Sequence, residues 1–379
     1  MKESLIQSNK EIVIFCPSIE EGGVEKNLFT IGNYLSKNNI KVNIITANKN
    51  KKKFFNKNII FCAPKTNFWN NKHRIFKAIV CAFFLIKNYY DKDCKILSFQ
   101  SNLISILLAN ILNKQVIVRS NTSPKSYINN FIKKTVFSVL FKKADKIIVN
   151  SKVFKKDIDK LLNINSTLIY NPSINLRLIN TQAKKKLNIN FFNTKKKIIK
   201  IINVARLTKQ KDHITLLKSL LFSKKKEFIR LVIIGKGPEE GKLKKFIKDN
   251  NLKKNVKMLG YKSNPFPYIK NSDIFILTSK FEGLPNVLLE AIALKKIVIS
   301  TNCPTGPKEI LLNGKGGYLF KTGKYISLAN LIDNITNNIS PALKKMNIAY
   351  KNLHRFEVNR NCRKYCNLIN KLLIKNEFI

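Results

Sequence analysis

Short apolar runs bounded by polar turns recur along this chain, alternating with longer stretches in which apolar residues return every three or four positions. In the first half the runs are "EIVIFC" (11–16), "KVNIIT" (41–46), "KILSF" (95–99), "QVIVR" (115–119) and "KIIVN" (146–150). Nearly continuous apolar runs of this length suit strands covered on both faces. Helical periods at 24–37, 74–88, 102–112 and 127–142 supply the connections between them. The rhythm predicts βα units and a parallel sheet.

Between 168 and 197 the alternation stops, and Asn, Pro and a run of lysines predict an exposed connector. It resumes at "KIIKIINVA" (197–205), "IRLVIIG" (229–235), "NVKMLG" (255–260), "DIFILTS" (273–279), "KIVIS" (296–300) and "GGYLF" (316–320). The expected organisation is therefore an α/β domain over 1–170, a linker over 171–196 and a second α/β domain over 197–355. A terminal helix over 356–379 is expected to pack back on the first domain. Two doubly wound domains would face a central cleft, with ligands at the carboxyl ends of their strands.

Composition changes this picture little. The net charge of +49, from 71 Lys and Arg against 22 Asp and Glu, raises a nucleic-acid reading. The lysines, however, are spread along the whole chain among many Asn and Ile, and no zinc-finger spacing, aromatic RNA-binding signature or basic region with heptads accompanies them. No nucleic-acid partner is expected, whereas an anionic membrane face remains compatible with the charge. The seven cysteines are scattered, and Cys362 with Cys366 lacks a second pair to complete a zinc site, so reduced thiols are expected. No secretion signal is apparent in "MKESLIQSNKEIVIFC", which predicts a cytoplasmic protein. The most apolar helical stretches, 75–86 and 103–112, fall short of a membrane span, so any membrane contact would be peripheral, at the inner face.

The chemistry concentrates in "FEGLPNVLLEAIALKKIVIS" (281–300). Pro285 suits a first helical position after strand 273–279, which would aim the backbone amides of Asn286, Val287 and Leu288 at an anion such as a diphosphate. Asn286 and Glu290 form one narrow polar strip on an otherwise apolar helix, and Glu282 precedes it. Carboxylates placed there would accept hydrogen bonds from sugar hydroxyls. In "NVARLTKQKDH" (203–213), Arg206 and Lys211 lie in a strand-to-helix loop where two cations can flank a diphosphate and stabilise a departing anion. Gly22 and Gly23 in "PSIEEGGVEK" permit close backbone approach to a ligand, though a plain turn would use them equally well. "GKGPEEG" (235–241), with Gly235 first, is one residue longer than a dinucleotide fingerprint. The pairs Asp91/Asp93 and Asp157/Asp159 fit a metal-binding D-x-D pattern, but neither follows a buried strand, so no catalytic metal and no cofactor are expected.

"EGLPNVLLE" resembles the E-x7-E motif of the retaining family 4 glycosyltransferases, whose GT-B fold consists of two Rossmann-like domains. The resemblance covers the second half closely and the first half in layout. It implies that Glu290 holds the ribose of a nucleotide sugar, that Glu282 faces the transferred sugar, and that Gly283 to Leu288 contact the diphosphate. Arg206 and Lys211 would then stabilise the leaving nucleotide, and Gly22, Gly23 and Gly235 would lie on the donor side. Many members carry a histidine near "VRSNTSP" (118–124), where this chain offers Asn121, which can bind a sugar hydroxyl but cannot act as a base. The implied activity is retaining transfer of a hexose or N-acetylhexosamine, UDP-linked, to a glycan or lipid-linked acceptor in bacterial surface-polysaccharide synthesis, lipopolysaccharide included. The rival readings are a GT-B nucleotide-sugar epimerase and a non-catalytic basic protein that binds polyanions. Against the first, the three histidines, His73, His213 and His354, are not expected in the ligand-facing loops.

Overall fold

The computed structural model describes residues 11–19, 23–121, 128, 130–185, 187, 190–192, 198–304 and 306–374. Two compact units divide the chain: Met1–Pro172 with Val358–Ile379, and Ser173–Glu357.

The first unit runs β1 (Glu11–Phe15), α1 (Gly23–Lys37), β2 (Lys41–Ile45), β3 (Ile60–Cys62), α2 (Arg74–Tyr89), β4 (Lys95–Ser98), α3 (Asn102–Ile111), β5 (Val116–Ser120), α4 (Phe131–Lys142), β6 (Lys146–Val149), α5 (Lys152–Leu162) and β7 (Thr167–Leu168). Its seven strands lie in the order β3-β2-β1-β4-β5-β6-β7, all pairs parallel, with Val13 opposite Asn43 on one side and Ile96 on the other. Alternation along β1 sends Val13 and Phe15 to the face covered by α2, α3, α4 and α5, and Ile12 and Ile14 to the face covered by α1. Every residue of β1 is buried, as a central parallel strand requires.

Local signals set the helix ends. Ser151 caps α5 by accepting from the Phe154 amide at 3.0 Å, and Asn163 closes it in the left-handed conformation. Asp159 of the D-x-D pair pairs with Lys155 at 2.6 Å and accepts from the Ser166 amide at 2.8 Å, so its carboxylate ties α5 to the chain before β7. Helix α4 turns Phe141 into the core while Phe131 and Val139 face outward.

The second unit contains α6 (Leu176–Gln182), β8 (Ile199–Val204), α7 (His213–Phe222), β9 (Ile229–Ile234), α8 (Glu240–Asp249), β10 (Val256–Met258), α9 (Phe266–Lys270), β11 (Ile274–Leu277), α10 (Asn286–Ala293), β12 (Ile297–Thr301), α11 (Gly306–Ile310), β13 (Tyr318–Phe320), α12 (Tyr325–Asn337) and α13 (Ser340–Lys351). Its six parallel strands follow β10-β9-β8-β11-β12-β13. Residues 173–183, expected within a connector, are built into this unit. The amides of Ser173 and Ile174 donate to the Phe356 carbonyl at 3.0 Å, and the Asn264 side chain donates to the Gln182 carbonyl at 3.0 Å. The sequence of α6, LRLINTQ, conceals this because a single residue, Ile179, enters the core.

The last helix, α14 (Val358–Ile374), belongs to the first unit, with Cys362, Tyr365, Ile369 and Leu372 buried at spacings of three, four and three along one stripe. Burial of Ile369 and Leu372 contributes roughly 1.5–3 kcal/mol each. Tyr365 also accepts a 2.9 Å hydrogen bond from Nε of Arg119 in β5, and Nη2 of the same guanidinium donates to Asn171 Oδ1 at 2.6 Å. The guanidinium stacks over Phe99 at 5.1 Å. Arg119 thus clamps α14 and the end of the first unit to β5. Among the described residues, no helix is long and apolar enough to cross a membrane.

Candidate active site

In the second unit the strand order reverses between β8 and β11, and ligands of open parallel sheets bind at the carboxyl ends of strands where such a reversal occurs. The loop after β8 carries Arg206 and Lys211, and the loop after β11 carries Glu282 and Gly283. Backbone and side-chain hydrogen bonds zip the two together. The Lys280 amide donates to the Gln210 carbonyl at 2.8 Å, Gln210 Nε2 to the Phe281 carbonyl at 2.9 Å, and Thr278 Oγ1 to the Lys211 carbonyl at 2.9 Å. The chain after β12 joins them: the Glu282 amide donates to Pro304 at 2.8 Å, and Thr301 Oγ1 to the Ser279 carbonyl at 2.6 Å.

Within this frame Lys211 Nζ lies 2.6 Å from Glu282 Oε1, and Ser279 Oγ donates to the same oxygen at 2.6 Å. The two charged side chains retain 15% and 8% of their exposure, so the pair sits in a poorly hydrated pocket. A carboxylate held by an ammonium and a hydroxyl has a fixed orientation. Arg206, in the same loop, is exposed.

Helix α10 starts at Asn286. Pro285 is extended (φ −72°, ψ 105°) and serves as the cap instead of the expected first helical residue. One expected anion donor is already used, since the Leu288 amide donates to the Pro285 carbonyl at 3.1 Å. Asn286 and Val287 carry the remaining first-turn amides. Leu288, Leu289, Ala291 and Ile292 are buried, while Asn286, Val287 and Glu290 are half-buried, reproducing the narrow polar strip. Asn286 Oδ1 accepts from Ser173 Oγ at 2.8 Å.

Two glycines make these loop positions possible. A Cβ on Gly235 would fall 1.9 Å from the Ala205 carbonyl, and one on Gly306 would fall 1.9 Å from the Gly283 carbonyl. Gly235 thereby seats the Arg206 loop, and Gly306 seats the Glu282 loop, by backbone-to-backbone contact. A Cβ on Gly283 would meet nothing within 4 Å.

Two neighbouring groups escaped the sequence reading. His213 is the first residue of α7, two positions after Lys211. It is buried, and neither ring nitrogen has a partner among the described residues. Burial pulls its pKa down to about 4, with Asp212 opposing and Lys211 reinforcing the shift. A neutral, core-facing imidazole is a packing group, not an acid or base at this site. Cys303, following β12, has its thiol pKa pushed up by burial and by the Glu282 charge.

The first unit has its own reversal, between β1 and β4. There the Ser18 amide donates to Gln100 Oε1 at 3.0 Å, and the buried Lys77 ammonium donates to Ser18 Oγ at 3.3 Å. Asn121, just beyond β5, donates to the Phe99 carbonyl at 3.2 Å. Asn121 Oδ1 and Gln100 Nε2 are buried without a partner among the described residues, a cost that a polar ligand group would offset. Gly23 opens α1, and Gly22 lies outside the described residues. Among the described residues no cluster of three or more His, Cys, Asp or Glu is disposed to hold a metal ion.

The sequence pattern of the family described as glycosyl transferases group 1 matches residues 183–352. An uncharacterized glycosyltransferase of Methanocaldococcus jannaschii is 34% identical over 223 residues, 55% of this chain and 55% of that protein. N-acetylgalactosamine-N,N'-diacetylbacillosaminyl-diphospho-undecaprenol 4-alpha-N-acetylgalactosaminyltransferase of Campylobacter jejuni is 28% identical over 299 residues, 74% of this chain and 77% of that protein. The chain thus spans about half the length of the archaeal relative and about three quarters of the bacterial one. Among solved structures, Anabaena HepE in complex with UDP superposes with a TM-score of 0.78 at 16% identity, over 95% of this chain and all of that one. Sucrose-phosphate synthase of Thermosynechococcus elongatus gives 0.79 at 15% identity, over 97% and 100%. These likenesses fix the fold as GT-B, and residues 183–352 carry the sequence pattern of the glycosyl transferases group 1 family.

Proposed function

We propose that the protein is a retaining glycosyltransferase that moves a hexose or N-acetylhexosamine from a UDP-sugar to a glycan or lipid-linked acceptor in surface-polysaccharide synthesis. The observation that carries the reading is the Lys211–Glu282–Ser279 constellation at the β8/β11 reversal, beside the first turn of α10. Glu290, one turn into that helix, accepts from the ribose hydroxyls. The amides of Asn286 and Val287 hold the diphosphate with Arg206 and Lys211, and the open space over Gly283 admits it. Glu282 orients the transferred sugar. As the glycosidic bond breaks, negative charge grows on the departing diphosphate, and the two cations stabilise it without a catalytic metal. The acceptor hydroxyl attacks the face the nucleotide leaves, its proton passing to the departing phosphate oxygen. On the first unit, Asn121 offers its Oδ1, which has no partner among the described residues, to a sugar hydroxyl.

The UDP choice draws support from HepE, whose structures hold UDP and UDP with glucose. The lipid-linked choice draws support from the Campylobacter relative, named for a diphospho-undecaprenol acceptor. That relative and poly(ribitol-phosphate) alpha-N-acetylglucosaminyltransferase of Staphylococcus aureus are named for α-linkages, the outcome of retention from an α-linked donor. The protein is expected at the cytoplasmic face of the membrane, in peripheral contact with anionic lipid.

Incubation with a panel of UDP-sugars and polyprenyl-diphosphate-linked sugars tests the reading. Expected are an α-configured product by NMR and loss of turnover in Glu282→Gln with UDP affinity retained. A β-configured product overturns retention, and undiminished turnover in Glu282→Gln overturns the assignment of the site.

A further inference from the structure

Three neighbouring helices of the first unit carry an apolar outer surface. In α2, Ile75, Ile79, Phe83 and Ile86 recur at four, four and three residues and all are exposed, Phe83 retaining 61% of its area. The opposite face of that helix, Ala78, Cys81 and Leu85, is in the core, so the exposed stripe is not packing turned the wrong way. In α3, Ile111 is 75% exposed. In α4, Phe131, Ile132, Val136 and Val139 are exposed, Phe131 at 80%. All three helices bury their inner sides in one cluster on one face of the sheet, so their outer sides form one surface. Scattered surface apolar residues are ordinary, but a run of this extent across adjacent helices marks a contact surface.

Charge identifies the partner. The sequences of α2, α3 and α4 contain no Asp or Glu at all. Lys87 on α2 and Lys133, Lys134 and Lys142 on α4 are exposed beside the apolar positions, and Lys143 follows. Aromatic rings flank α2 at both ends: Phe68, under the Lys72 ammonium at 4.3 Å, and Tyr90, 63% exposed. Apolar side chains edged by cations, without anions and with aromatics at the margins, fit the boundary between acyl chains and anionic headgroups. A second copy of this surface would set its cations against one another, with no acid in the three helices to pair with them.

We infer that the outer surface of α2, α3 and α4 is a membrane-docking face that inserts shallowly into an anionic bilayer. The inference deepens the peripheral contact proposed above and rests on that reading only for its purpose. Lys77 in the second turn of α2 donates to Ser18 at the β1 end, which places the start of this face beside the carboxyl edge where Asn121 and Gln100 lie. Docking there brings a lipid-linked acceptor to that edge without withdrawing it from the bilayer.

The test is co-sedimentation of the full chain with phosphatidylglycerol/phosphatidylethanolamine vesicles and with phosphatidylcholine vesicles, for wild type and for Ile79→Ser/Phe83→Ser/Ile132→Ser/Val136→Ser. These side chains are exposed, so the variant is expected to keep the wild-type Tm and UDP affinity. Wild type should pellet with the anionic vesicles alone, and the variant should lose about tenfold or more in partition coefficient through its lost apolar area. Equal pelleting of wild type and variant overturns the inference, leaving unspecific attraction by the +49 charge. A wild-type dimer that the variant dissolves, with no vesicle binding, overturns it in favour of a second copy. Vesicle binding that depends on these four side chains in a protein that binds no nucleotide supports the docking face and contradicts the transferase reading instead.

Discussion

Lys211 Nζ and Glu282 Oε1, 71 positions apart in the chain, meet at 2.6 Å because β8 and β11 are parallel neighbours and their loops leave the sheet at the same end. Removing one partner strands a charge in a pocket where the side chains keep 15% and 8% of their exposure. Lys211→Met and Glu282→Gln should each lower stability, the former by about 3 kcal/mol. The double variant should lose less than the sum of the singles. Urea unfolding of the four proteins checks this. Additive losses contradict a direct pair.

His213 makes stability depend on pH. Its folded pKa, about 4, lies below the ordinary 6.5, so the unfolded chain binds a proton that the folded chain refuses. The stabilisation is complete above pH 6.5 and is lost as the pH falls towards 4, about 3 kcal/mol in all and about 2 by pH 5. His213→Leu should flatten the fall in Tm between pH 7 and 5 that wild type shows. An unchanged slope would place the titration elsewhere.

Two glycines should behave oppositely. Gly306→Ala drives a methyl group against the Gly283 carbonyl and should displace the Glu282 loop, lowering both Tm and turnover. Gly283→Ala meets open space and should leave Tm unchanged while raising the KM for the donor about tenfold, because the methyl group occupies room the diphosphate needs. Unchanged kinetics in Gly283→Ala would show that the donor passes elsewhere.

Tyr365→Phe removes the acceptor for Nε of a buried arginine. A loss of about 1.5–3 kcal/mol in the first unit is expected, without change in UDP affinity, since Arg119 clamps α14 and takes no part in the second unit's site. Calorimetry and titration together separate these effects.

Legibility in the sequence followed burial. Strands such as β1 and β11 are nearly continuous apolar runs because both faces are covered, and each was readable. Strands β3 and β7 were not: one has Ile60 exposed and the other is two residues long. Helix α6 looked like linker because one residue of seven is buried. The polar strip of α10 was readable from spacing, since Asn286 and Glu290 lie four apart on a short apolar helix. The engaged Leu288 amide depends on how Pro285 caps the helix and has no separate signal. Nor do the Lys211–Glu282 pair and the Ser18–Lys77 contact, which follow from strand order. The burial of His213, 2% exposed, gives no sign in the polar run KQKD that precedes it.

The measurement that bears most directly on the central claim is calorimetric titration of UDP into wild type and Glu290→Ala, with EDTA present. Saturable binding to wild type without a divalent ion and at least about tenfold weaker binding to the variant, a difference near 1.4 kcal/mol, are expected. Equal affinity in the two proteins, or no binding of any nucleotide to either, would contradict the claim.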